Sequence, residues 1–140
     1  MSATSTKIAH ELYKLGTLGT IFLALTSTVL SFIDGTKLAT SFLIISMISW
    51  FYVLANCHRK LHLNYDPKSK RHFQTLGIGN RLTIARGLLI GATAGFIGTD
   101  PSNLSKFSVF LPAIFYTVAA IGDALDGHIE SNNADYSIGK

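Results

Sequence analysis

A chain of 140 residues with 48% hydrophobic and 14% charged residues differs from ordinary soluble domains, in which about a quarter of the residues are charged. Its formal charge of +4 does not indicate a nucleic-acid-binding face, because the basic residues gather between long uncharged runs. The single cysteine excludes an internal disulfide. These totals predict an all-α, polytopic helical membrane protein that binds no nucleic acid.

The first part of the chain predicts two membrane-spanning helices. Residues 1–14 are polar and are typical of a short amphipathic helix at a membrane surface. The uncharged run Leu15–Ile33 is long enough to cross a bilayer. A secretory signal peptide is the rival interpretation, disfavoured because the run is too long and no clear cleavage site follows it. Asp34-Gly35 marks a turn, and Leu38–Cys57 is the second predicted span.

A basic loop from His58 to Arg81 follows the second span. The positive-inside rule places it in the cytoplasm, where it can contact anionic lipid headgroups. Its histidines have no standard metal-ligand spacing, which favours ordinary loop residues over a metal site. The basic residues of the loop are Arg59, Lys60, Lys68, Lys70, Arg71 and Arg81.

The third predicted span, Leu82–Gly98, contains a charge and a stripe of small residues. Arg86 lies about one turn inside the span, and a charge at such a position indicates a functional site unless the side chain reaches back to the interface. Gly87, Gly91 and Gly95 recur every fourth residue, a spacing that lets two helices approach closely. We therefore assign the stripe to helix packing.

The fourth predicted span, Phe107–Gly122, leads into a pair of acids. Its helix is expected to continue to Asp126 and to end at Gly127, a common helix stop. Asp123 and Asp126 are three residues apart and therefore share one face of a helix. Two acids at the mouth of an apolar helix are costly unless a cation lies between them, and carboxylate oxygens suit Mg²⁺ or Mn²⁺.

The charge distribution predicts one orientation of these four spans. With the N-terminus in the cytoplasm, the outer side of the membrane receives Lys37 and Lys106, and most other basic residues lie inside. Arg86, Asp123 and Asp126 then lie at the same depth on the cytoplasmic face. A metal beside positive charge at that face favours phosphoryl-type transfer on a lipid.

Two segments resemble a known family. Residues 123–127 read D-A-L-D-G and resemble the opening of the CDP-alcohol phosphatidyltransferase signature, D-x-x-D-G-x-x-A-R followed by G-x-x-x-D-x-x-x-D. Residues 80–86 read N-R-L-T-I-A-R and resemble the N-x-L-T-x-x-R entry to the first core helix of that family. The resemblance covers residues 76–140.

The resemblance implies an enzyme of phospholipid biosynthesis with six core helices, usually a homodimer embedded in membrane lipids. It would transfer a phosphatidyl or substituted phosphate group from a CDP-linked donor to an alcohol acceptor, with release of CMP. Carried over by position, Asp123 and Asp126 are ligands of Mg²⁺ or Mn²⁺. The residues that the resemblance assigns to substrate or nucleotide binding are Asn80, Thr83, Arg86, Gly127, Ser137 and Gly139.

Departures from the signature qualify this expectation. Glu130-Ser131 stands where the family has Ala-Arg, and the last two signature aspartates, one of them the general base, have no counterpart. We therefore expect an N-terminal portion or truncated member that is inactive alone. Residues 1–60 form an N-terminal extension with two transmembrane helices, and residues 61–140 form the first part of the enzyme-like domain. The alternative is a non-catalytic, degenerate membrane protein or an assembly partner that uses the glycine stripe.

Overall fold

The described residues form a bundle of four α-helices. The computed structural model describes residues 3–60, 65–66, 71–72 and 76–138, with side chains placed for residues 7–60, 76–77 and 79–124. The helices are α1 (Ala3–Ile33), α2 (Thr36–Arg59), α3 (Gly77–Ala94) and α4 (Lys106–Ile138).

Short elements connect the later helices. Two antiparallel strands of two residues each, β1 (Tyr65–Asp66) and β2 (Arg71–His72), pair between α2 and α3, with Tyr65 opposite His72. A short 3-10 helix, Pro101–Asn103, precedes α4. The chain is therefore almost entirely helical where it is described, and the predicted all-α class is confirmed.

Three of the described helices are long and apolar enough to cross a membrane: α1 over Lys7–Ile33, α2 over Thr36–Arg59 and α4 over Lys106–Ala124. Large apolar side chains lie exposed on their outer faces, among them Phe32 and Tyr116. Such faces suit lipid better than water. Among the described residues, α3 does not join this group, because Asn80, Arg81 and Arg86 make its first ten residues more polar.

The helices pack in chain order, α1 on α2, α2 on α3 and α3 on α4. An edge-to-face contact between Phe22 of α1 and Phe115 of α4, with ring centroids 5.9 Å apart, also brings the first and last helices together. The most deeply buried large side chains are Leu23, Leu30, Phe42 and Trp50. The core therefore lies between α1 and α2 and continues towards α3.

Trp50 fixes α2 against α1. Its ring is 1% exposed and lies directly on Gly19, where a Cβ atom would be 2.7 Å from Cε2 of the ring. Its indole N–H donates to the carbonyl oxygen of Gly16 at 3.2 Å. The neighbouring Phe51 and Tyr52 are exposed, so of these three consecutive aromatic residues Trp50 alone belongs to the core.

The glycine stripe of α3 packs on α2 of the same chain. A Cβ atom on Gly87 would lie 2.8 Å from Val53, one on Gly91 would lie 3.2 Å from Ser49, and one on Gly95 would overlap Phe42 and Ser46. The predicted role of the stripe in close helix packing is therefore confirmed. Since α2 covers these glycines, an assembly partner must use another face.

Two helix boundaries differ from the predicted ones. The polar residues 1–14 do not form a separate surface helix in the described part, because α1 begins at Ala3 and runs unbroken to Ile33. Ile8 and Leu12 are each 4% exposed, so this first segment packs into the bundle. The prediction that Gly127 ends the last helix is wrong, since α4 continues to Ile138. A glycine inside a helix costs only about 1 kcal/mol relative to alanine, and no proline follows to stop it.

Candidate site at the junction of α3 and α4

The predicted substrate arginine and the first predicted metal ligand lie in direct contact. Nη1 of Arg86 on α3 donates to Oδ1 of Asp123 on α4. The side chain of Arg86 is 35% exposed and that of Asp123 is 64% exposed, so solutes can reach the ion pair. The packing of α3 on α4 thus joins the sequence segments 80–86 and 123–127 at one place.

Asn80 and Thr83 lie on the same helix, about two turns and one turn before Arg86, respectively. Both are exposed, and the positions 80, 83 and 86 follow one side of α3 because residues three apart on a helix are neighbours. The Thr83 hydroxyl donates to the carbonyl oxygen of Gly79 at 3.0 Å, which leaves its oxygen free to accept from a ligand. This side of α3 offers neutral hydrogen-bonding groups followed by one positive charge.

The other predicted site residues are placed only by their backbone or not at all. Positions 126, 127 and 137 belong to α4, with position 126 about one turn beyond Asp123. The side chains of Asp126 and Ser137 lie outside the described part of the chain, and Gly139 lies outside the described residues altogether. Their roles as metal ligand and nucleotide contacts stay predictions.

The side chains at this junction can be compared with the oxygen ligands that a divalent cation requires. Carboxylate oxygens are the right chemistry for Mg²⁺ or Mn²⁺, and Asp123 is exposed enough to bind one. The described residues contain no group of three or more histidine, cysteine or acidic side chains that could hold a metal. Asp123 is also already paired with Arg86, so a cation has to compete with the guanidinium.

A second carboxylate, Glu11 of α1, holds the start of α3. Its Oε2 accepts from the backbone N–H of Leu76, at 3.1 Å, and from Nη2 of Arg81, also at 3.1 Å. The contact satisfies a backbone donor just before the first turn of α3 and places a negative charge near the positive end of the helix. Glu11 therefore positions the segment that carries Asn80, Thr83 and Arg86.

A third carboxylate, Asp34, holds the start of α4 at the other end of the bundle. It accepts from the backbone N–H of Ser105 at 2.6 Å and from the Ser108 hydroxyl. Ser105 in turn accepts from the backbone N–H of Ser108 at 3.2 Å, as a helix N-cap does. Burial, the largest single influence, would raise the pKa of Asp34, but the hydrogen bonds from Ser108 and Ser105 together outweigh it and leave the pKa below its ordinary value.

Neither Glu11 nor Asp34 is identified from the sequence as a residue that holds the start of a helix. One signal was present, because they are the only acids in residues 1–60. Their partners lie 65 and 71 residues further along the chain, however, and no local pattern connects them.

No family model, curated protein or solved structure matches the chain. What points to a function is the pair of segments, 80–86 and 123–127, and the contact between Arg86 and Asp123 that joins them.

Proposed function

We propose that this chain carries the donor-binding half of a CDP-alcohol phosphatidyltransferase site, with a role in phospholipid biosynthesis. Such a site transfers a phosphatidyl or substituted phosphate group from a CDP-linked donor to an alcohol and releases CMP. The observation that carries the proposal is the contact between Arg86 and Asp123. It joins the two segments, 80–86 and 123–127, on which the family resemblance depends.

The side chains at this junction suit a diphosphate-linked donor. The planar guanidinium of Arg86 can donate two parallel hydrogen bonds to a phosphate. Asn80 and Thr83 add neutral polar groups on the same side of α3, where they can orient the nucleotide. Asp123, with Asp126 one turn later, offers oxygen ligands to Mg²⁺ or Mn²⁺, which when bound would neutralise charge on the donor phosphates.

The proposed topology has four spans, with the N-terminus and the site in the cytoplasm. The contact between Glu11 and Arg81 supports it, because it places the beginnings of α1 and α3 at the same end of the bundle. The basic residues Lys7, Lys14 and Arg59 belong to that end, as the positive-inside rule requires. In this arrangement α3 is the third of the four spans, and Arg86 lies about one turn inside it.

A second candidate function is that of a non-catalytic membrane protein that keeps the fold without the reaction. The observation in its favour is Glu130-Ser131, which replaces the Ala-Arg of the family signature. An assembly role, including a homodimer, would use the outer helix faces, because α2 covers the glycine stripe. Nucleotide binding distinguishes the two functions.

The test is calorimetric titration of CDP into the full chain, purified in maltoside micelles with Mn²⁺ present. Binding is the readout because the last two signature aspartates have no counterpart in residues 1–140. We expect CDP to bind. We also expect Asn80→Ala, Arg86→Ala and Asp123→Asn each to weaken the affinity by roughly tenfold, a loss of about 1.4 kcal/mol.

Asp100→Asn is the matched control. Asp100 is an exposed acid in the loop before α4, and its carboxylate accepts only from Ser102 among the described contacts. CDP affinity is expected to be unchanged in this variant. A chain that does not bind CDP, or that loses affinity equally on Asp100→Asn, contradicts the proposed function and favours the non-catalytic one.

A further inference from the structure

We propose that Arg86 is a built-in counter-ion that keeps a divalent cation off Asp123 until an anionic phosphate draws the guanidinium away. The identity of that phosphate, the diphosphate of a CDP-linked donor, rests on the proposed function. The competition between Arg86 and a cation for Asp123 rests on the contact alone.

Two arginines of α3 are held by carboxylates from different helices, and they differ in how firmly they are held. Arg81 contacts Glu11, which is 28% exposed and is also fixed by the backbone N–H of Leu76. Asp123 is 64% exposed, and in the described part of the chain its carboxylate contacts Arg86. The Arg86 pair is therefore the one that a solute can separate without breaking a helix cap.

The charge of Arg86 makes it an effective competitor for a cation. Its guanidinium carries a positive charge that balances the charge of the Asp123 carboxylate. A divalent cation that approaches Asp123 meets a carboxylate whose charge is already balanced, and it is repelled by the guanidinium. Binding of the metal alone is therefore weakened.

A phosphate changes this balance. It offers the guanidinium two oxygens in a bidentate arrangement, which is a better partner than the single oxygen of Asp123. When Arg86 turns to the phosphate, Asp123 becomes free for the metal, which in turn attracts the phosphate. Anion and cation then bind cooperatively, with each increasing the affinity for the other by the same factor.

The competing explanation is that Arg86 and Asp123 only hold α3 against α4. A purely structural pair affects thermal stability when it is removed, but it does not change how tightly the chain binds a metal. Metal affinity therefore separates the two explanations.

The experiment measures binding of Mn²⁺ alone, from the electron paramagnetic resonance signal of the free ion, to the full chain in neutral maltoside micelles. We expect Arg86→Gln to increase Mn²⁺ affinity by about fivefold or more, since it removes the competing charge. The double variant Arg86→Gln with Asp123→Asn is expected to lose that gain. Arg81→Gln, which removes a charge from the same helix, is the matched control and is expected to leave Mn²⁺ affinity unchanged.

Unchanged or weaker Mn²⁺ binding by Arg86→Gln overturns the proposal. If Arg86→Gln does not fold, Arg86→Met keeps the apolar stem of the side chain and makes the same test. The single variant Asp123→Asn gives a further check. Because Arg86 occupies the carboxylate of Asp123, this change is expected to alter Mn²⁺ affinity little. A large loss of Mn²⁺ affinity would contradict the proposed competition. If Arg86→Gln tightens Mn²⁺ binding while CDP does not bind, the counter-ion role stands and the donor-binding function fails.

Discussion

Asp34 and Asp123 lie at opposite ends of the same bundle and are held in opposite ways. Asp34 is partly buried in a turn and accepts from the backbone and hydroxyl groups of two serines at the start of α4. Asp123 is 64% exposed and contacts one long, charged side chain. Short neutral donors fix a carboxylate in place, whereas a flexible guanidinium at the surface leaves it open to exchange. Asp34 is therefore fixed at the start of a helix, whereas the exposed carboxylate of Asp123 can exchange its partner.

The largest expected effect is the loss of stability in Asp34→Ala. This change removes the acceptor for Ser105 and Ser108 and leaves polar groups at the start of α4 unpaired, which we expect to cost about 2–3 kcal/mol of unfolding free energy. Asp123→Ala is expected to cost less than about 1 kcal/mol. Denaturation followed by the fluorescence of Trp50, the single tryptophan, measures both. Equal losses of unfolding free energy in Asp34→Ala and Asp123→Ala would contradict the difference between the two carboxylates.

Acidification is expected to have a smaller effect at the same residue. Because the pKa of Asp34 lies below its ordinary value of 3.8, the carboxylate contributes stability that is fully present above that value and is lost as the pH falls through the lowered pKa. The effect is smaller than that of Asp34→Ala, since a protonated carboxyl group still forms hydrogen bonds.

The measurement is the stability of wild type and Asp34→Asn between about pH 3 and pH 7. We expect the advantage of the wild type to be constant near neutral pH and to shrink below about pH 4. An advantage that grows on acidification would reverse the sign of the assigned pKa shift.

The smallest expected effect is that of salt on the Arg86–Asp123 pair. An exposed ion pair contributes less than about 1 kcal/mol, and salt screens it. The stability difference between wild type and Arg86→Gln should therefore disappear at about 1 M salt. The difference between wild type and Asp34→Ala should persist, because neutral donors hold that carboxylate. A salt-resistant contribution from Arg86 would indicate a buried, structural pair.

Sequence periodicity was sufficient to predict the features that depend on neighbouring residues. The apolar spans of α1, α2 and α4 are predicted by uncharged runs that are long enough to cross a membrane. The close approach of α3 to another helix follows from Gly87, Gly91 and Gly95, although the sequence did not identify α2 as the partner. The turn at Asp34-Gly35 follows from the residue types, and Gly35 has the positive φ of 94° that such turns favour.

The features that the sequence did not predict depend on distant partners. The hydrogen bond of Trp50 to Gly16 and its packing on Gly19 require that α1 and α2 already lie side by side. The capping of α3 by Glu11 and of α4 by Asp34 joins groups that are far apart in the chain. The contact between Arg86 and Asp123 was expected only as a shared depth in the membrane, since side-chain pairing across two helices depends on their rotation as well.

Whether Arg86 and Asp123 belong to one donor-binding site is measured by a double-mutant cycle on CDP affinity in the presence of Mn²⁺, with Arg86→Ala and Asp123→Asn alone and combined. If the two residues form one donor-binding site, their effects on CDP affinity are coupled. The double variant then loses little more affinity than the single variant that binds CDP less tightly. We expect a coupling of about 1 kcal/mol or more. Additive losses, or an affinity that neither change alters, would contradict the claim that the contact between α3 and α4 joins the two segments into one site.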